Sequence, residues 1–231
     1  ILFPFPNRIR DGKFCFRGKW YTVEPHRHGF VRDKRWNVDA MGASDKEGAW
    51  MRSSLDFDKL NPADAAQYPD EILSQFPFPF RIQVTYRLKA GRLEMETQVQ
   101  NTGQDDMPCG FGIHPYFRLP ERGTIQVPAR KRWELEDFLP TGKLLDVDGR
   151  FNLRHPTDLT GLALDDIFTG LIADSDDCVR CTLADQRKGI QTIVEFDPKQ
   201  FPHLVVFTPP APRQAIAIEP YTCPTDAFNL H

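Results

Sequence analysis

Several things are scarce in this sequence, and each scarcity narrows what the chain can be. No apolar run approaches the ~20 residues that a membrane-spanning helix requires, so no transmembrane segment is expected. The net charge is only -3 and the pI near 6.1, which gives no reason to expect a nucleic-acid or membrane-surface partner. Repeats, low-complexity tracts and linker-like stretches are missing too, so a single domain over 1–231 is the simplest organisation. Cysteines number 5 (Cys15, Cys109, Cys178, Cys181 and Cys223), an odd and scattered set. That argues against a disulfide framework and for a reducing, cytoplasmic compartment. Cys178-x-x-Cys181 has no second pair, so no zinc site is expected.

What is present reads as strand. Prolines (20) outnumber glycines (15) and punctuate short alternating segments, the mark of an all-β sandwich or barrel. The clearest local element is a hairpin. Phe80, Ile82, Val84, Tyr86 and Leu88 alternate in "FRIQVTYRL", a turn follows at "KAG", and Leu93, Met95, Thr97 and Val99 alternate in "RLEMETQVQ". Further strands are expected at "KFCFRG", "KWYTV", "TIQVPA", "VRCTLAD", "GIQTIVEF", "HLVVFTP" and "AIAIE". The one stretch with helical character is "NPADAAQYPDEILSQ", opened by Asn61-Pro62 as an N-cap and first-turn proline.

Two segments share an unusual order. "GFGIHPYF" (Gly110 to Phe117) and "AIAIEPYT" (Ala215 to Thr222) both run small, apolar, small, apolar, ionisable, Pro, Tyr. As strands, one face of each is apolar, and the other carries two small residues and then His114 or Glu219. Small residues on a sheet face are most simply explained by something lying across it, so a ligand is expected over Gly112 and Ala217. In both segments the proline removes a ladder donor, and the strand is expected to end there. A carboxylate (reference pKa ~4.3) and an imidazole (~6.5) lining one cleft form a proton-transfer pair suited to epimerising chemistry.

Five motifs then carry a resemblance: "NRI" at Asn7-Arg8-Ile9, "HGF" at His28-Gly29-Phe30 with Trp36 following, "HPYF" at His114 to Phe117, "LDDIF" at Leu164 to Phe168, and "EPYTCPTDAFN" at Glu219 to Asn229. In this order they resemble the aldose 1-epimerase (galactose mutarotase) family over essentially the whole chain. The resemblance implies an all-β fold, the large antiparallel β-sandwich of galactose mutarotases, with a sugar on its concave face. It also implies one or two strands ahead of Asn7-Arg8-Ile9, so the domain is expected to lack its first strands. Glu219 would take the proton of the anomeric hydroxyl, His114 would protonate the ring oxygen, and His28 would help to hold that oxygen. Asn7 and Arg8 of the first motif and Asp165 of the fourth would bind sugar hydroxyls. The implied partner is a small-molecule sugar met by a monomer or homodimer, with no metal and no cofactor. Two motifs depart from the family pattern. H-G-F replaces the usual H-G-G, and Asp166 stands where many members have histidine, which leaves Asp165 and Asp166 both candidates.

The remaining residues read more plainly. His26 and His28 form an H-x-H with no third ligand at suitable spacing. "VRDKRW" is a solvated basic loop, or a phosphate contact through Arg32, Lys34 or Arg35 that would favour a hexose 6-phosphate. Asp226 is expected to cap a turn. Besides a mutarotase of free aldoses, the competing functions are a hexose-6-phosphate 1-epimerase, a non-catalytic sugar sensor, and a glycosidase pairing Glu219 with Asp165.

Overall fold

The computed structural model describes residues 1–57 and 74–230. The expected helix over 61–75 lies outside the described residues, apart from its last two. Nearly all regular structure is antiparallel strand, as the alternation and proline spacing predict. The chain gathers into two compact units, one of Gly12–Pro25 and Phe30–Pro108, the other of Ile1–Asp11, His26–Gly29 and Cys109–His231.

The first of these holds a hairpin of β1 (Lys13–Phe16) and β2 (Lys19–Thr22), and a sheet in which β3 (Asn37–Ser44), β4 (Gly48–Phe57), β5 (Phe80–Lys89) and β6 (Arg92–Asn101) pair in sequence order. The β5–β6 hairpin closes on Ala90-Gly91, both with φ > 0 (48° and 77°), the shape that matches the twist of the flanking strands. Phe80, Ile82 and Val84 are buried, as are Leu55 and Phe57 of β4, and the rings of Phe57 and Phe80 stack 4.8 Å apart. Each such side chain contributes roughly 1.5–3 kcal/mol by leaving water. The same alternation continues to Leu88 and Leu93, but there the side chains are exposed.

The other unit has ten strands: β7 (Tyr116–Arg118), β8 (Gly123–Gln126), β9 (Ala129–Glu136), β10 (Leu139–Asp146), β11 (Thr157–Asp158), β12 (Asp165–Leu171), β13 (Val179–Asp185), β14 (Ile190–Phe196), β15 (His203–Phe207) and β16 (Ala215–Tyr221). They form a six-stranded sheet, β10-β9-β12-β15-β16-β7, and a four-stranded sheet, β11-β8-β13-β14. The two sheets share one core. Phe168, Leu204, Val206, Ile216 and Ile218 come from the larger sheet, and Ile125, Val179, Cys181 and Leu183 from the smaller. Alternation therefore sends the intervening residues of the larger sheet to its other face: Asp165 and Ile167 on β12, Val205 and Phe207 on β15, Ala217 and Glu219 on β16. Ile167, Val205 and Tyr221 join Leu2 in a second, smaller apolar cluster on that face.

"AIAIEPY" forms β16 as expected, but the strand does not end at Pro220, which pairs with Leu204 of β15. A residue's N–H and C=O point to the same neighbour, and the Pro220 carbonyl accepts from Ile113 N–H at 3.3 Å, so the missing donor faces residue 113 and the β15 side loses nothing. "GFGIHPYF" is not one strand. Only 116–118 are regular, because Pro115 and Pro220 each withhold a donor from this stretch of the ladder.

Candidate functional site

The irregular segment nevertheless keeps the register of its neighbour. Ala217 pairs with Tyr116 on one side and Tyr221 with Gly112 on the other, so His114 and Glu219 fall directly opposite each other. The bonds from Thr222 N–H to Phe111 C=O (2.9 Å) and from Ile113 N–H to Pro220 C=O (3.3 Å) make Gly112/Tyr221 a non-hydrogen-bonded pair. Two residues on, His114/Glu219 occupies the same kind of position, where opposed side chains lie closest. His114 Nε2 sits 3.3 Å from Glu219 Oε1.

This pairing also explains why the two segments repeat one order. Run antiparallel about the His114/Glu219 pair, each segment sets its tyrosine against a small residue of the other, Tyr221 against Gly112 and Tyr116 against Ala217. A Cβ on Gly112 would lie 2.5 Å from the Tyr221 ring and 3.0 Å from Pro6 Cβ, and Ala217 is fully buried. The small positions expected beneath a ligand are thus filled by the protein itself. That corrects the expectation, and the cause is ring volume across the ladder.

Glu219 is 1% exposed. Its Oε2 accepts from the buried Tyr221 hydroxyl at 2.6 Å. Burial pushes its pKa up to about 8, the Tyr221 hydrogen bond opposes the rise, and the negative charge of Asp165 adds to it. Tyr221 is raised well above 10 by burial and by the neighbouring carboxylate, so it stays a donor. His114 stacks on Tyr116 at 4.6 Å, meets Phe207 edge-on at 6.2 Å and His28 edge-on at 5.6 Å. Three rings from three separate segments therefore fix its orientation.

The N-terminal segment brings in the other expected residues. Leu2 pairs with Gly112, and Gly110 N–H donates to Pro4 C=O, so this segment lies beside residues 110–112. Gly29 runs against it so closely that any Cβ would meet the Phe3 carbonyl. Asn7 and His28 both adopt φ > 0 (52° and 66°), and His28 N–H donates to Asn7 C=O at 2.7 Å. Asn7 is buried and acts here through its backbone, bringing the segments of His28 and Arg8 together. Asp165 lies on the Glu219 face, whereas Asp166 points with the core-facing set, towards Arg132 and Arg150. Burial raises the Asp165 carboxyl, and Arg8 and then Arg27 oppose the rise. Burial lowers Arg8, helped by Arg27 and opposed by Asp165. All six sequence-derived residues therefore lie in one unit, on or beside one sheet face.

Four contributors escaped the sequence reading as site residues. Tyr221 had a signal, since it stands two residues after Glu219 and shares its face. Arg27, which acts on both Arg8 and Asp165, had none, and neither had Phe138, whose ring lies 4.6 Å from the Arg8 guanidinium. Asp226, expected to cap a turn, does more. Its N–H donates to Arg8 C=O at 2.8 Å, while its buried carboxylate accepts from Arg10 N–H (2.8 Å), Arg10 Nε (3.2 Å) and Asn229 Nδ2 (2.7 Å). It fastens the chain at the Arg8 carbonyl and at Arg10, two residues on. Asp226→Ala should lower unfolding free energy by about 2–3 kcal/mol in urea titrations, the range for hydrogen bonds to a buried charge; a loss under ~0.5 kcal/mol would contradict this role.

The chain is similar to known proteins over its whole length. The Aldose 1-epimerase family model matches residues 1–231. The chain is 24% identical over 242 residues to the protein YihR of Escherichia coli K12, covering 99% of this chain and 71% of YihR. A galactose mutarotase-like protein from Clostridium acetobutylicum superposes with a TM-score of 0.85 at 23% identity, over 99% of this chain and 70% of that one. The Slr1438 protein of Synechocystis sp. PCC 6803 gives 0.76 at 28% identity, over 99% and 68%. The fold is thus galactose mutarotase-like.

Proposed function

Because this chain belongs to the aldose 1-epimerase family, we propose that it interconverts the α and β anomers of a free aldose by acid–base ring opening. The observation that carries this reading is the direct opposition of His114 Nε2 and Glu219 Oε1, with Tyr221 behind the carboxylate. Ionised Glu219 removes the proton of the C1 hydroxyl, and His114 delivers a proton to the ring oxygen as the C1–O bond breaks. The open aldehyde rotates about C1–C2 and closes on its other face, with the two proton transfers reversed. Arg8 and Asp165, of opposite charge, hold sugar hydroxyls, and positioning plus general acid–base catalysis supplies the rate. His28, edge-on to His114, donates to the ring oxygen.

A glycosidase reading would need Glu219 and Asp165 to share the work. Glu219 instead contacts an imidazole, which suits proton exchange between two oxygens of one sugar. An anionic sugar, such as a hexose 6-phosphate, has one specific observation in its favour. Arg27 supplies a second guanidinium close enough to act on both Arg8 and Asp165.

Anomer exchange followed by polarimetry or NMR over glucose, galactose and glucose 6-phosphate tests both readings. Free aldoses should be accelerated, with Arg27→Ala changing their KM less than twofold or so, since exposed ion pairs contribute little. A strict phosphate requirement lost in Arg27→Ala would replace the first reading by the second. Saturable binding with no acceleration would leave only a sugar sensor.

A further inference from the structure

The β9–β10 hairpin turns on two residues, Asp137 and Phe138, and both have φ > 0 (47° and 65°). Turns of this shape take Asn-Gly or Asp-Gly by preference, because a Cβ in the left-handed region crowds the backbone. Asp137 suits its place. Phe138 does not, and burial does not compensate for the strain, since the residue is 53% exposed.

What the ring does have is the Arg8 guanidinium, 4.6 Å from its centroid. A second contact holds the same hairpin to the same segment, as Arg10 Nη2 donates to Pro140 C=O at 3.3 Å. Arg10 is itself gripped by Asp226, so the hairpin tip is anchored to the chain at Arg8 and again two residues on. A guanidinium in the field of another cation, Arg27, gains from an aromatic face that needs no counter-charge.

We propose that Phe138 is a positioning residue for sugar recognition, kept in an unfavourable turn conformation because its ring holds the Arg8 guanidinium ready for the sugar. This rests on the reading of Arg8 as a sugar-binding residue. It makes turn stability and substrate affinity pull in opposite directions at one position. Glycine improves the turn and loses the platform, whereas tyrosine keeps the platform and the strain.

The test compares Phe138→Gly, Phe138→Leu and Phe138→Tyr with the unmodified chain, using KM and kcat for anomer exchange on glucose and galactose. Melting temperature is recorded on the same samples. Phe138→Gly should raise KM roughly 3–10-fold, the range of an exposed to partly desolvated cation–π contact, with kcat within about twofold. Its melting temperature should stay level or rise. Phe138→Leu should also raise KM, and Phe138→Tyr should not. In the Arg8→Ala background Phe138→Gly should add nothing further to KM; additive effects overturn the proposal, as does an unchanged KM in Phe138→Gly. A sugar-independent readout separates this from failure of the functional reading. The Arg8 Nε–H proton resonance should carry an upfield ring-current shift that Phe138→Gly abolishes, and its absence in the unmodified chain overturns the proposal too.

Discussion

Glu219→Gln should reduce anomer exchange by roughly 10²–10⁴-fold, the usual worth of a general base, and should also make the protein more stable at alkaline pH. The two effects have one cause. The carboxyl is buried, and its pKa is pushed up to about 8 from an unfolded value near 4.5. Between those values the folded state binds a proton that the unfolded state has released. Its stabilising share is complete below about 4.5 and is lost as pH rises through about 8. Glutamine never ionises, so the variant escapes that loss, and the difference in unfolding free energy should widen from about pH 4.5 and level off above about pH 8. Activity depends on two groups at once. Glu219 must be ionised and His114 protonated, so kcat/KM of the unmodified chain should pass through an optimum and fall on either side of it. His114→Asn should cost a comparable factor in rate without the alkaline gain in stability. Near-normal rates in both variants, by polarimetry, would refute the acid–base assignment.

Gly112→Val should lower unfolding free energy by about 3 kcal/mol, at the upper end of overpacking costs, and much of the activity with it. The clash is specific, because a Cβ at this site would lie 2.5 Å from the fully buried Tyr221 ring. Tyr221 cannot yield without moving the hydroxyl that donates to Glu219, so the pH optimum of activity should shift together with stability. Gly112→Ala should show most of the effect, because the first carbon already collides. Combined with Tyr221→Ala, either change should cost less than the separate losses together. Denaturant titration of the single and double variants decides the matter. A Gly112→Val protein of normal stability that merely fails to bind sugar would restore the idea of an open floor for ligand.

The residues' own chemistry carried the sequence reading a long way at some points and failed it at others. Alternation in "FRIQVTYRL" and "VRCTLAD" placed β5 and β13, because period two is a local property of a pleated chain. It did not show that Leu88 and Leu93 would be exposed, since burial depends on what lies opposite. The repeated order of "GFGIHPYF" and "AIAIEPYT" was visible and correctly joined His114 to Glu219. Its meaning was misread, because a small residue beside a ligand and a small residue beside a tyrosine look alike in one dimension. Phe138 and Arg27 could not be found at all, as each owes its place to a chain segment distant in sequence from the residue it serves.

The sequence by itself determined the all-β class, the strands with clean alternation, and the matching order of the two segments that carry His114 and Glu219. Those follow from side-chain period and from the order of residues along the chain. Tertiary structure alone decided three further things. Antiparallel register set His114 opposite Glu219 at the closest kind of pair. Burial among Tyr221 and its neighbours moved the carboxyl into the neutral pH range. The crossing of the N-terminal segment brought Arg8 beneath a strained hairpin tip. Register, desolvation and long-range contact are properties of pairs of segments, and no single segment contains them.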